Sequence, residues 1–207
     1  MPKLSDRRCR HDKYYRMAKE GNYASRAVYK LQEIDKRFNL IASGHKILDL
    51  GCRPGSWLQY AAKKVGPKGM VVGVDLKDLE ISLPANTHVF VEDVREIDPA
   101  KLEEKAGGLF HGVLSDMAPN TTGIRCADVA RSLHLLEAVL LTADRVLRTD
   151  GFLAAKIFQG QGFDETLYEV KRRFKKVKNM RPEGTRKGSM ELYVVGIGKR
   201  ETPLSLK

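Results

Sequence analysis

The stretch Lys46-Ile47-Leu48-Asp49-Leu50-Gly51-Cys52-Arg53-Pro54-Gly55 decides the fold. Its first five residues form a short apolar run with one acid inside, which predicts a strand buried on both faces. The glycine turn Gly51–Gly55 leads into a helix through Trp57, Tyr60, Ala61 and Lys64, stopped at Gly66-Pro67. A buried strand, a glycine turn and a helix make the opening unit of a parallel α/β sheet.

Working outward, the same alternation continues. Met70–Asp75 reads as a second strand ending on an acid, and Thr87–Val91 as a third, followed by Glu92-Asp93. Gly112–Ser115 is a fourth, ending at Asp116. A long helix over about 126–148, closed by Asp150-Gly151, precedes a fifth strand, Phe152–Phe158. A helix near 164–174 and two strands near 175–180 and 190–198 complete the chain. Those last two are close enough for an antiparallel hairpin at one sheet edge. Upstream, residues 12–22 read as a polar helix. Ser25 is a candidate N-cap for an amphipathic helix over 26–38, carried by Val28, Leu31, Ile34 and Phe38. The expectation is a Rossmann-like α/β sandwich: a seven-stranded, mostly parallel sheet with an antiparallel edge hairpin and helices on both faces. Residues 1–207 read as one domain, with 1–40 a basic helical extension packed on it.

The net charge is +11, and it is segregated. Residues 1–30 hold nine Lys or Arg against three acids, and 171–200 hold eleven against two, whereas 31–170 hold sixteen against twenty acids. Basic ends around an acidic centre suit a phosphate-backbone partner, because each neutralised phosphate releases counterions. Lys13, Arg16, Lys19 and the run 171–178 are the candidates to flank a cleft, with Tyr14, Tyr15 and Tyr23 as stacking surfaces. Two solvated faces would look the same, so charge alone does not decide. Cys9, Cys52 and Cys126 are far apart and form no C-x-x-C pair. That argues for a reducing compartment and against a disulfide framework or a zinc site. No apolar run nears the roughly 20 residues of a membrane span, and no hydrophobic segment follows the basic N-terminus. The expected place is the cytoplasm, without a metal or a membrane partner.

Ligands of doubly wound sheets bind beyond the carboxyl ends of the strands. Three successive strand ends carry suitable groups. Gly51 and Gly55 allow a tight turn and close backbone approach. Asp75 is placed to accept ribose hydroxyls of an adenosine, and Asp93 to meet an adenine edge. The turn lacks the third glycine of the dinucleotide fingerprint. Asp49, two residues before Gly51, instead suits a cofactor with a cationic end, such as S-adenosylmethionine.

Four further segments matter: Ser25–Leu31, Ser115-Asp116-Met117-Ala118-Pro119-Asn120, Lys156-Ile157-Phe158-Gln159-Gly160 and Ser189-Met190-Glu191-Leu192-Tyr193. With the glycine turn, they resemble the FtsJ/RrmJ-like family of ribose 2′-O-methyltransferases, in the family's order, from about His11 to Gly198. The resemblance implies a catalytic Lys-Asp-Lys-Glu tetrad at Lys30, Asp116, Lys156 and Glu191. It also implies S-adenosylmethionine contacts from Gly55, Trp57, Asp75, Asp93 and Asp116. The implied substrate is RNA, most often a uridine of large-subunit ribosomal RNA within the ribosomal subunit; a monomer is the default expectation for the chain itself. Two departures stand out. Arg53 is bulky where the family's turn has small residues, and Thr185-Arg186-Lys187-Gly188-Ser189 replaces a serine-led segment.

The residues support this chemistry independently. Methyl transfer from a sulfonium needs an aligned nucleophile but neither a metal nor a covalent intermediate. A ribose hydroxyl is a weak nucleophile that a positioned base assists. An ordinary lysine is neutral in only about one molecule in 2,500 at pH 7. Burial and a cation such as Lys30 favour the neutral amine; Asp116 and Glu191 favour the ammonium. Lys156 therefore reads as either a general base or an orienting donor. Lys156 and Glu191 lie inside apolar strands, where a charge is costly unless paired. Other readings use part of the pattern. A nicotinamide-dependent oxidoreductase would share Asp75 but leaves the tetrad unexplained. An RNA-binding assembly factor would keep the basic ends without needing the tetrad. A transfer RNA or messenger cap substrate would keep all of it.

Overall fold

A computed structural model describes residues 13–185 and 188–202. Cys9, Arg186, Lys187 and the side chains of Lys13, Tyr14 and Tyr15 lie outside the described residues, as does the start of the basic extension.

In chain order the elements are α1 (Lys13–Glu20), α2 (Val28–Phe38), β1 (Lys46–Leu50), α3 (Ser56–Val65), β2 (Met70–Asp75), β3 (Thr87–Val91), α4 (Pro99–Ala106), β4 (Phe110–Ser115), α5 (Arg125–Val146), β5 (Leu147–Phe158), α6 (Phe163–Arg173), β6 (Phe174–Met180) and β7 (Glu191–Lys199). One seven-stranded sheet runs β3-β2-β1-β4-β5-β7-β6. The five strands β1 to β5 pair in parallel, and β7 is antiparallel to both β5 and β6. The predicted sandwich and edge hairpin are therefore present. The second hairpin strand, β7, lies inside the sheet and leaves β6 at the rim.

Helices cover both faces. Leu31 and Ile34 of α2 and Trp57, Leu58, Ala61, Ala62 and Val65 of α3 pack with Ile47, Val71, Leu114, Ala154, Tyr193 and Val195 on one side. On the other, Leu102 and Ala106 of α4, Leu136, Val139 and Leu140 of α5 and Val170 of α6 pack on Leu48, Val72, Val113 and Ala155. Alternate residues of the central strands serve opposite cores, so β1, β2 and β4 read as nearly continuous apolar runs, whereas the rim strand β6 carries exposed lysines.

Local chemistry differs from expectation in three places. α4 is not visible as an apolar pattern because only Leu102 and Ala106 are buried. Its signal is instead a terminal one: Asp98 accepts from the Ala100 amide at 2.9 Å and Pro99 stands in the first turn. Ser25 is not the N-cap of α2. That position is Ala27, without a side-chain cap, while Ser25 Oγ bonds Ser56 Oγ at 2.8 Å and so ties the entry of α2 to α3. β5 begins at Leu147 rather than Phe152. An irregularity separates its Leu147 and Phe152 pairings, and Asp150 takes φ +63 there.

β1 and β4 are neighbours whose crossovers leave in opposite directions, so their carboxyl ends open a crevice. Gly51 sits at its floor with φ +74, and a Cβ there would lie 2.1 Å from Met117 Cγ. Gly51→Ala therefore meets both backbone strain and a clash. It is expected to cost about 1–3 kcal/mol, read as a lower denaturant midpoint at unchanged m-value.

Candidate active site

The crevice is a cleft of about 480 Å³ lined by Gly51, Arg53, Asp75, Asp93, Arg95, Asp116 and Met117, among others. Every strand-end acid named from the sequence except Asp49 is on that lining.

Asp49 lies just beneath it. Its side chain is 1% exposed, and neither carboxylate oxygen has a hydrogen-bond partner. Burial, reinforced by the charges of Asp116 and Asp75, holds its carboxyl well above the usual range. A buried acid without a partner among the described residues, beside two further acids, suits a cationic group. Asp75 is oriented by two backbone amides, Arg53 N–H at 3.0 Å and Lys77 N–H at 3.2 Å. Asp93 accepts the side chain and backbone amide of Arg95, and these bonds lower its pKa to about 2. Arg53, the bulky departure in the turn, pairs with Glu80 at 3.0 Å at the edge of the crevice that it helps to line. Gly55 has φ +108, and a Cβ would lie 2.4 Å from Ile81 Cδ1, so this glycine lets the loop after β2 cross the turn.

Trp57 stands apart from the cleft. It is 2% exposed, its indole N–H donates to the Ala27 carbonyl at 2.8 Å, and its ring lies 5.7 Å from that of Tyr193. Its side chain braces the start of α2, which carries Lys30. Cys52 is buried and its thiol is pushed up by burial, so it is no nucleophile.

The four tetrad positions come together as two ion pairs. Lys156, with a side chain 7% exposed, donates from Nζ to both the backbone carbonyl and Oδ1 of Asp116, the latter at 2.9 Å. Lys30 Nζ lies 2.6 Å from Glu191 Oε1, and Thr185 Oγ1 is 3.5 Å from the same oxygen. The hydroxyl kept at Thr185 thus reaches the glutamate. Lys30, a candidate cation for Lys156, is paired with Glu191. Between the pairs stands Tyr193, two residues after Glu191 in β7. It is directly opposite Lys156 in the β5–β7 ladder, its hydroxyl donates to Asp116 Oδ1, and Lys30 lies 5.8 Å above its ring. Burial and the charges of Asp116 and Glu191 keep its phenol protonated. Its signal was alternation: Glu191, Tyr193 and Val195 share one strand face.

The loop after Asp116 is fixed by Asp128, which accepts the Thr122 and Gly123 amides at 2.7 and 3.1 Å. Glu191→Ala would leave Lys30 facing only Tyr193. It is expected to cost about 3 kcal/mol, with most of that recovered in Lys30→Met/Glu191→Leu, because removing half of a buried pair is worse than replacing both halves. Urea melts of the three proteins check this. Among the described residues there is no group of three or more His, Cys, Asp or Glu able to hold a metal, and no helix is long and apolar enough to cross a membrane.

Three members of the basic run at 171–178 are engaged by acids of the chain itself. Arg172 and Arg173 pair with Glu169, and Arg173 also with Asp144, while Lys175 reaches Asp150 at the opposite end of the sheet.

The geometry agrees with what the chain resembles. Residues 23–199 match the family of FtsJ-like methyltransferases. A Syntrophobacter fumaroxidans protein named ribosomal RNA large subunit methyltransferase E is 47% identical over 191 residues, which cover 92% of this chain and 97% of the relative. The protein of that name from Desulforapulum autotrophicum is 45% identical over 91% of this chain and 93% of its own. A Plasmodium falciparum structure described as a ribosomal RNA methyltransferase superposes with a TM-score of 0.76 at 24% identity, over 86% of this chain and 98% of that one, and so shares the fold. With most of its length matched and a relative at that identity covered nearly end to end, this chain belongs to the FtsJ-like methyltransferases.

Proposed function

We propose that this methyltransferase uses S-adenosylmethionine to methylate the 2′-hydroxyl of a uridine in large-subunit ribosomal RNA, with Lys30, Asp116, Lys156 and Glu191 as its working groups. The observation that carries the reading is Lys156, nearly buried, held on Asp116 at the rim of a cleft that Asp116 itself lines. The names of the relatives supply the substrate class.

The cleft fits the cofactor. Asp49 offers an unpaired buried carboxylate to a cationic group, and Asp75 and Asp93 stand as oriented acceptors for an adenosine. Gly51, Asp75, Asp93 and Asp116 on the lining would hold it, with Gly55 shaping the turn and Trp57 bracing the α2–α3 contact. Bound there, S-adenosylmethionine supplies an electrophilic methyl group on a sulfonium.

The chain's own task is to present the nucleophile in line. A lysine nitrogen has four tetrahedral positions, one bonded to carbon. Asp116 takes two through its carbonyl and carboxylate. One position is left for the ribose hydroxyl. In the ammonium it donates to the hydroxyl oxygen and orients it; in the amine its lone pair takes the hydroxyl proton. Tyr193 holds Asp116 Oδ1 in place, and Glu191 keeps Lys30 at the other side of the phenol.

The substrate class is tested with methyl-labelled S-adenosylmethionine and ribosomal particles lacking 2′-O-methyls, set against transfer RNA and capped messenger RNA. Label in large-subunit RNA is expected. Label confined to transfer RNA or the cap would overturn the ribosomal assignment.

A further inference from the structure

The amino ends of the parallel strands carry a second cavity, of about 350 Å³, lined by Phe38, His45, His111, Arg148, Phe152 and Ile197 with Asn39, Leu40, Asp150 and Gly151. None of these residues takes part in the cleft. His45 and His111 stack with ring centroids 4.6 Å apart and planes 12° from parallel. Each ring is pinned through Nδ1: the Ala42 amide donates to His45 at 3.2 Å and the Lys46 amide to His111 at 3.0 Å. A neutral imidazole that accepts at Nδ1 carries its proton on Nε2. Two Nε2–H donors are thereby left uncommitted among the described residues. Arg148 is exposed, and among the described residues it donates from Nε to the Thr149 carbonyl at 3.4 Å. The cavity's one acid, Asp150, is already paired with Lys175 at 2.6 Å. Aromatic walls, two imidazole donors and a guanidinium make an anion site.

The sheet connects this pocket to the tetrad. Lys156, Tyr193 and Met180 form one ladder row; Ala154, Val195 and Lys178 form the next but one; Phe152, Ile197 and Lys176 form the row that lines the pocket. Residues side by side in a ladder share a face. Lys178 and Lys176 therefore lie exposed on the rim strand, on the tetrad's side of the sheet, leading from the catalytic row to the pocket row. Two double steps span about 13 Å. Glu33, the acid of α2 nearest that rim, is engaged by the Glu183 amide at 2.8 Å.

We propose that the His45–His111–Arg148 pocket is a phosphate-binding site that holds the backbone of the substrate RNA, reached from the tetrad along Lys178 and Lys176. This rests on the RNA reading above and names where the strand goes after it leaves the catalytic row. A bound phosphate would accept from both Nε2–H groups and raise the rings' midpoints, opposed by the Nδ1 bonds that the Ala42 and Lys46 amides make to the neutral imidazoles. At present burial and Arg148 hold both rings below their ordinary value, with Lys46 and the partner ring adding to this at His111 and buried Asp35 opposing it at His45. Asp150 with its partner Lys175, and Arg37, which lies 5.7 Å over the Phe38 ring, are further charges at the pocket.

Two readouts test this on the full chain. In the first, inorganic phosphate is titrated while the ring resonances of His45 and His111 are followed by NMR. Phosphate is expected to shift both and raise their midpoints by about half a pH unit, an effect lost in Arg148→Ala. In the second, Arg148→Ala and Lys176→Glu/Lys178→Glu are expected to raise KM for large-subunit RNA about fivefold or more, with kcat within about twofold and a shallower salt dependence. Rings that ignore phosphate would overturn the site. Rings that respond while KM does not move would overturn the RNA track and leave a pocket for a small free anion. The phosphate titration needs no methyl transfer, so a failure of the RNA reading is seen separately. Thermal melts of each variant, expected to match the parent, exclude unfolding as the cause.

Discussion

Lys156→Ala is expected to lower kcat for methyl transfer by about 10²- to 10⁴-fold while leaving S-adenosylmethionine affinity within about threefold. The separation follows from placement. Lys156 donates to Asp116 and stands opposite Tyr193, but it is not on the lining of the cofactor cleft. Asp116 keeps its bond from the Tyr193 hydroxyl in the variant, so its carboxylate is not orphaned. Lys156→Arg separates charge from position: it retains a cation that cannot act as a base. If the amine takes the proton, Lys156→Arg should be as inactive as Lys156→Ala. If the ammonium only orients, the arginine should recover a measurable part of the rate. Calorimetric cofactor titration alongside single-turnover rates measures both quantities. A variant with near-normal turnover removes Lys156 from the chemistry.

Asp49→Asn should move stability and cofactor binding in opposite directions. The Asp49 carboxyl is raised in the folded state, so between its unfolded and folded values the native chain binds the extra proton. Stability therefore falls as pH rises through that window and is highest below the unfolded value near 3.9. Asparagine removes the ionisation and points amide hydrogens into a region bounded by Asp116 and Asp75. The cofactor-free variant should gain about 1–3 kcal/mol near neutrality, with little change at pH 4. Its affinity for S-adenosylmethionine should fall about tenfold or more, equal to about 1.4 kcal/mol of lost pairing with a cation. Denaturation at pH 4 and pH 8 with and without cofactor reads both. Lower stability at neutral pH would mean that the buried carboxylate already has its compensation within the chain.

Much of the site was legible because its residues break local rules. Lys156 and Glu191 are charges in strands whose neighbours are apolar, and Asp49 is an acid in a run buried on both faces. Such residues are kept only where something pays for them. What could not be read was pairing across the ladder. That Tyr193 stands opposite Lys156 depends on the β5–β7 register, which joins residues nearly forty positions apart, and that Lys30 meets Glu191 depends on where α2 lies against β7. Trp57 was read as a cofactor contact, and only the packing of α2 on α3 shows its ring enclosed. The helix Pro99–Ala106 escaped a reading based on apolar spacing because two buried residues make no periodicity. The His45–His111 stack joins the chain just before β1 to the second residue of β4, which no local pattern announces.

The central claim is that the methyl group arrives on a ribose oxygen. Incubating under-methylated large subunits with the protein and labelled S-adenosylmethionine, then mapping alkali-resistant linkages along the RNA, tests it most directly. The account predicts one newly resistant linkage, at a uridine, absent when Lys156→Ala replaces the parent. Label on a base with every linkage still cleaved by alkali would contradict it.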